Sequence, residues 1–269
     1  MNEHVAANRA LWNARMRAHL DAGLYPIDTF HRDGSTLGRL EIDEIGPVDG
    51  KRLLHLQCNG GLDTLSWARR GAVVTGVDFS SEAIRTARLV AATAGLDATF
   101  VETDLYDTCD AVEGPFDIVY TSAGVLWWLP DLDRWAEIIA AMLRPGGMFY
   151  IQEIHPFAMT LTDDDATLTV GHDYFGNGAP IVFESTGTYY EAPPGFAVEA
   201  HTESGWVHPL SEIVTTLATA GLRIEYLREH PFSFFRMLST LELGADDYWH
   251  PPPGTPPIPL IFSLRASRS

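Results

Sequence analysis

An aspartate just past a short apolar run is the first residue with a specific chemical use. Asp78 ends Thr75-Gly76-Val77-Asp78. It follows the turn Gln57-Cys58-Asn59-Gly60-Gly61 by about 20 residues, the interval at which an acid takes the ribose hydroxyls of an adenosine. A carboxylate suits that task because it accepts both hydroxyl protons at once. A strand feeding a tight small-residue turn and then a helix brings backbone close to a ligand and aims N–H groups at it. The plainer alternatives are a ligand-free connection and an acid that merely precedes a helix start. A third candidate is Thr103-Asp104-Leu105-Tyr106. Asp104 could accept from an adenine amino group there, with Leu105 and Tyr106 beside the ring; alone, it would read as a solvated loop acid.

Two later stretches could meet a second ligand. In Ser122-Ala123-Gly124-Val125-Leu126-Trp127-Trp128, paired tryptophans could wall an apolar or cationic molecule, or divide between core and rim. In Gln152-Glu153-Ile154-His155-Pro156, Glu153 and His155 share a side if the chain stays extended. His155 has the pKa range of a general base, with Glu153 as its orienter; the alternative is a histidine that bonds a loop carbonyl. His172, Tyr174 and His208 read as cap-surface residues that could reach the same molecule. Cys58 reads as a small buried thiol, since no basic residue adjoins it. The run Asp163-Asp164-Asp165 reads as a solvated loop, although hard cations favour such oxygens.

The elements that position these residues alternate. Residues 2–20 and 37–45 read as helices with a turn-rich stretch between them. Strands are expected at 53–56, 72–77, 99–101, 117–121 and 148–153, with helices at 62–70, from Ser80 to Ala94, and at 133–143. Pro145-Gly146-Gly147 is expected to turn the chain into the fifth strand. Ser80 caps one helix and Gly95 closes it. Trp135, Ile138, Ile139, Met142 and Leu143 recur at helical spacing. Short strands alternating with helices imply a parallel sheet covered on both faces, with ligands at the carboxyl ends of its strands. Residues 160–208 read as a β-rich insertion with stretches at 181–183 and 186–190. A helix at 210–220, a strand at 222–227 and a last strand at 260–264 follow, the last after a proline cluster that cannot join a central strand.

The three sites in this order resemble the class I S-adenosylmethionine-dependent methyltransferases. Ala68-Arg69-Arg70-Gly71-Ala72 and Leu143-Arg144-Pro145-Gly146-Gly147 are also typical of that family, and the likeness spans roughly residues 40–155. It implies an α/β fold: a doubly wound, mostly parallel, seven-stranded Rossmann-like sheet with a β-rich insertion after strand five. It also implies S-adenosylmethionine as cofactor and in-line transfer of its methyl to a small-molecule acceptor. The implied cofactor contacts fall on Gln57, Cys58, Asn59 and Gly61, then on Asp78 and Phe79, Asp104 and Leu105, and Thr121 and Ser122. Thr64 and Ser80 stand beside them. His155 and Glu153 become the catalytic pair, and Trp127, Trp128, His172 and Tyr174 the acceptor contacts. Metal-using members carry carboxylates after strand four and an Asp-Asn pair after strand five. This chain has Thr121-Ser122 and Glu153-Ile154 there, so no metal is expected. It departs from the family at His55, where an acid is usual, and at Gln57 and Asn59, where glycines are. Asn59 tolerates the left-handed conformation; Gln57 either bonds the cofactor's amino acid end or narrows the pocket.

Two other readings stay open: a nicotinamide-dependent dehydrogenase, although the turn lacks G-x-G-x-x-G, and a non-catalytic or NAD-binding protein on the same fold. The 269 residues, 46% of them hydrophobic, suffice for one elaborated domain. Its expected parts are an N-terminal helical cap (1–45), a cofactor core (46–155), a substrate-cap insertion (156–208) and a closing helix and strands (209–269). A net charge of −18 repels a phosphate backbone, so a nucleic-acid partner is not expected. Two cysteines, no signal-like N-terminus and no apolar run of ~20 residues point to a cytoplasmic protein off the membrane. The oligomeric state is left open.

Overall fold

In the computed structural model, which describes residues 3–162, 168–188 and 193–269, three helices precede the alternating region. They are α1 (Glu3–Asp21), α2 (Ile27–Asp33) and α3 (Arg39–Ile45). Then come β1 (Arg52–Leu56), α4 (Leu62–Arg69), β2 (Val73–Asp78), α5 (Ser81–Ala94), β3 (Thr99–Glu102), α6 (Thr108–Ala111), β4 (Phe116–Thr121), α7 (Leu132–Met142) and β5 (Leu143–Ile154). The insertion contributes β6 (Leu161–Thr162), β7 (Thr169–Val170), β8 (Ile181–Ser185) and β9 (His201–Gly205). α8 (Leu210–Thr219), β10 (Leu222–His230), β11 (Glu242–Leu243), β12 (Trp249–His250) and β13 (Ile261–Arg268) complete the chain.

Seven strands form one sheet in the order β10-β13-β5-β4-β1-β2-β3. β1 to β5 pair parallel, and β13 runs antiparallel between β5 and β10. This is the doubly wound, mostly parallel fold expected of the sequence. On one face α7 and α8 cover Leu54, Leu56, Phe149 and Ile151. On the other, Trp67 of α4 and Ile45 of α3 cover Leu53, Val74, Ile118 and Tyr150. α5 starts where the sequence signals it, with Ser80 Oγ accepting from Ala83 N at 3.1 Å; α7 starts one residue before the expected Asp133, with Asp131 accepting from Arg134 N at 2.9 Å, each cap satisfying an orphan donor of a first turn.

Register positions the site. Leu56 pairs with both Val77 and Thr121, and Asp78 with Glu102. The residues following β1, β2, β3 and β4 therefore line one edge of the sheet.

Three local expectations need correction. α2 occupies part of the stretch read as turns, because Phe30 is fully buried beside the α4 and α5 side chains and Gly34 ends the helix at φ 81°. Pro145-Gly146-Gly147 lies inside β5 as a bulge: pairing steps from Phe116–Leu143 to Ile118–Met148. No strand forms at 186–188; the rest of 186–190, like Asp163-Asp164-Asp165, lies outside the described residues. β8 and β9 make an antiparallel hairpin that packs on α1, where the Asn8 amide bonds the Ser204 backbone in both directions, at 2.7 and 2.9 Å.

Candidate active site

A cavity of about 1800 Å³ opens at the carboxyl edge of the sheet. Gln57, Cys58 and Asn59 line it. Both Gln57 (φ 56°) and Asn59 (φ 49°) are left-handed, so each takes a conformation that glycine takes without strain. Gln57 is held there by Nε2 donating to Val125 O at 3.3 Å, while its Oε1 has no partner. Asp78 is 8% exposed and lines the same cavity. Its Oδ2 accepts from Asn59 N at 2.9 Å and its Oδ1 from Ser80 N at 2.8 Å. Burial pushes its carboxyl up to about 6, against the pull of those N–H groups. The Phe79 amide adds to that pull, and the carboxylate keeps lone-pair capacity for a ligand. Asp104 lines the wall with Phe79 and Leu105, and its Oδ1 takes Tyr106 N at 3.0 Å.

Four of the expected contacts serve the scaffold instead. A Cβ on Gly61 would come within 2.7 Å of Ala87 and the Phe100 ring, so this glycine admits α5 rather than a ligand. Thr64 is fully buried and bonds His55 Nδ1 at 2.8 Å. The Ser80 hydroxyl caps α5 and donates to Asn13 Oδ1 at 2.8 Å. Thr121 is fully buried and absent from the wall, although Ser122 is on it. Ser122 Oγ bonds His55 Nε2 at 3.1 Å. Burial lowers the His55 pKa to about 3, so a neutral ring stands where the family has a charged acid.

The expected pairing of Glu153 with His155 does not form. Glu153 accepts from Gly124 N (2.6 Å), Ile154 N (2.7 Å), Val125 N (2.8 Å) and Leu126 N (3.1 Å). With four donors its carboxylate is saturated, and it shapes the loop after β4. β5 stops at Ile154, so the alternation of sides stops too. His155 Nε2 donates to Glu229 Oε1 on β10 at 2.9 Å, and its Nδ1 accepts from Phe157 N at 3.0 Å. His155 is 4% exposed and is not on the cavity wall. Burial lowers its pKa, with Glu229 opposing. As placed, His155 lies off the wall with both ring nitrogens engaged, outside direct hydrogen-bond reach of a molecule in the cavity.

Trp127, Trp128, His172 and His208 line the cavity; Tyr174 does not, its hydroxyl accepting from Leu210 N at 3.2 Å. Trp128 meets Trp12 edge to face at 5.1 Å, and the Arg15 guanidinium lies 5.5 and 5.6 Å from the two ring centres. Arg15 also pairs with Glu203 at 2.7 Å, and Trp127 Nε1 donates to that carboxylate at 3.2 Å. Sequence reasoning placed Trp127 and Trp128 here but missed Trp12, Arg15 and Glu203 beside them, and Phe232, Phe234 and Phe235, which line the same cavity. The density of aromatics was the available signal. It also missed Glu41 and Asp63, both on the wall. Tyr120 OH and Gly38 N (3.0 Å) donate to Glu41, and Thr36 OH to Asp63 at 2.5 Å. Burial, with Asp63 adding, pushes Glu41 up to about 7, and burial raises Asp63 as well.

Among the described residues no three histidine, cysteine or acidic side chains come together to hold a metal, and no helix is long and apolar enough to cross a membrane.

Residues 53–147 match the family described as a methyltransferase domain. A ubiquinone biosynthesis O-methyltransferase of Aeromonas salmonicida is 34% identical over 113 residues, 42% of this chain and 47% of that protein. One of Ralstonia nicotianae is 29% identical over 187 residues, 70% of this chain and 69% of that protein. The chain thus spans about half the length of the first of these relatives. An S-adenosylmethionine-dependent methyltransferase structure from Clostridium acetobutylicum superposes with a TM-score of 0.56 over 86% of this chain and 88% of that one, at 12% identity. That likeness is one of fold.

Proposed function

We propose, from a chain whose residues 53–147 belong to the class I S-adenosylmethionine-dependent methyltransferases, that this protein transfers a methyl group from S-adenosylmethionine to a small-molecule acceptor. The observation that carries the reading is the aligned strand edge, which brings Asp78 and Asp104 to the wall of one cavity. The donor set fits the cofactor. Asp78 accepts from the ribose hydroxyls with its free lone pairs, Asp104 accepts from the adenine amino group, and Phe79 and Leu105 flank the ring. The left-handed turn at Gln57–Asn59 keeps backbone close to the amino acid end. Bound there, the cofactor supplies a sulfonium methyl whose transfer needs no further leaving group. The chain's remaining task is to hold the acceptor aligned and dry. α1, the β8–β9 hairpin and the Trp127-Trp128 loop perform it by closing over the strand edge. With 36 acidic residues against 18 basic, a small acceptor fits and a nucleic acid does not.

Calorimetry tests this directly. Adenosylhomocysteine should bind and NAD should not. Asp78→Ala, with its melting temperature retained, should weaken binding about ten- to a hundredfold, since a hydrogen bond to a charged group contributes roughly 1.5–3 kcal/mol. Binding of NAD in place of adenosylhomocysteine would favour the dehydrogenase reading. Binding of neither would favour a non-catalytic protein on this fold.

A further inference from the structure

We propose that the cavity corner formed by Glu41, Asp63 and Gln152 holds a protonated amine carried by the methyl acceptor. The inference rests on the methyltransferase reading and names the acceptor's chemistry. Each of these side chains presents an acceptor atom. Gln152 is 3% exposed, lies on the wall, and its Oε1 has no partner. Glu41, 8% exposed, and Asp63 receive only neutral donors, from Tyr120, Gly38 and Thr36. The corner is contiguous. Thr121 pairs with Ile151, which sets Ser122 beside Gln152. Ser122 bonds His55, the His55 ring lies 4.6 Å from that of Tyr120, and the Tyr120 hydroxyl meets Glu41.

Among the described residues no cation answers these groups. Arg15 is taken by Glu203, and Arg39 points outward to Asp43 with its side chain 87% exposed. His55 is neutral. Two neighbouring carboxyls in a buried wall do not both ionise without a positive charge, and an unpaired buried carbonyl needs a donor. An ammonium supplies the charge and up to three hydrogens, and accepts nothing in return. A metal ion is a poorer fit, because among the described residues no third histidine, cysteine or acidic side chain joins the two carboxyls as a ligand.

The test uses protein saturated with adenosylhomocysteine, titrated with phenethylamine and with 2-phenylethanol, its hydroxyl counterpart. The amine should bind about tenfold tighter than the alcohol or better. Gln152→Leu removes an unsatisfied buried carbonyl, so it should keep or raise the melting temperature while weakening the amine at least about fivefold. Glu41→Gln should weaken it likewise. Equal binding of the alcohol, no binding of the amine, or a Gln152→Leu protein that melts earlier yet binds the amine as before would overturn the proposal. Suppose saturation excludes the amine, and both substitutions weaken adenosylhomocysteine instead. Then the ammonium is the cofactor's own, and the acceptor assignment falls. Failure of adenosylhomocysteine to bind would remove the methyltransferase reading alone, and titrating ligand-free protein with the same amine and variants would still decide the corner.

Discussion

A carboxyl that must be charged to bind, and is buried before it binds, makes binding sensitive to acid. Asp78, in its proposed ribose-binding role, is such a group. Its pKa is pushed up to about 6 by burial, above its ordinary value. A raised carboxyl contributes most to stability at low pH and progressively less as pH rises through about 6. Ligand affinity moves the opposite way, because the ribose hydroxyls need the ionised form. The affinity for adenosylhomocysteine should be flat above about pH 7 and should fall below 6 by up to about tenfold per unit. Calorimetry at pH 7.5 and 5.0 measures it, with Asp78→Asn as comparator; an equal acid loss in that variant would take the effect away from Asp78. Asp78, Asp104 and the left-handed Asn59 were legible in the sequence because each follows from local spacing and backbone preference. The fates of Glu153 and His155 were not. Each is decided by distant groups, the 124–126 amides and Glu229 of β10, and no local pattern announces them.

The elements show the same division. The period of α7 and the caps of α5 at Ser80 and Gly95 are local, and the sequence displays them. α2 was hidden by its turn-forming neighbours, and its stability comes from Phe30 in a distant core. The docking of α1 on the insertion was hidden as well, and it rests on a buried pair. The Arg15 and Glu203 side chains are 8% and 9% exposed and 2.7 Å apart. Removing one partner of a buried pair strands the other charge, at a cost of about 3–5 kcal/mol, whereas an apolar replacement of both is often near neutral. Arg15→Met should therefore lower stability by about that amount in urea unfolding, and Arg15→Met with Glu203→Met should recover most of it. A single variant within about 1 kcal/mol of the parent, or a double variant no better than the single, would show that packing and not charge holds α1 to the hairpin.

At the scale of the molecule, the four expected parts are stitched together across their boundaries. β13, at the end of the chain, lies between β5 and β10 in the central sheet. α1 packs on α5 of the core and on β9 of the insertion. The Tyr248 hydroxyl accepts from Leu40 N at 3.0 Å, joining the C-terminal segment to α3. No cut separates the cap from the core without exposing one of these contacts, so residues 1–269 should unfold as one domain. Thermal unfolding should show a single transition whose calorimetric and van't Hoff enthalpies agree. A ligand that binds only the folded state stabilises whatever unit contains its site, by about 2.7 kcal/mol at a hundred times its Kd. The proposed adenosylhomocysteine site is the strand edge, whereas tryptophans 12, 127, 128 and 206 line the cavity where α1 and the insertion meet it. Their near-ultraviolet signal and the far-ultraviolet signal of the sheet should therefore move upward together on saturation. Two transitions, with only the far-ultraviolet one shifted by ligand, would mean that the 156–208 insertion and α1 unfold apart from the core. The cavity would then be roofed by a unit that opens independently.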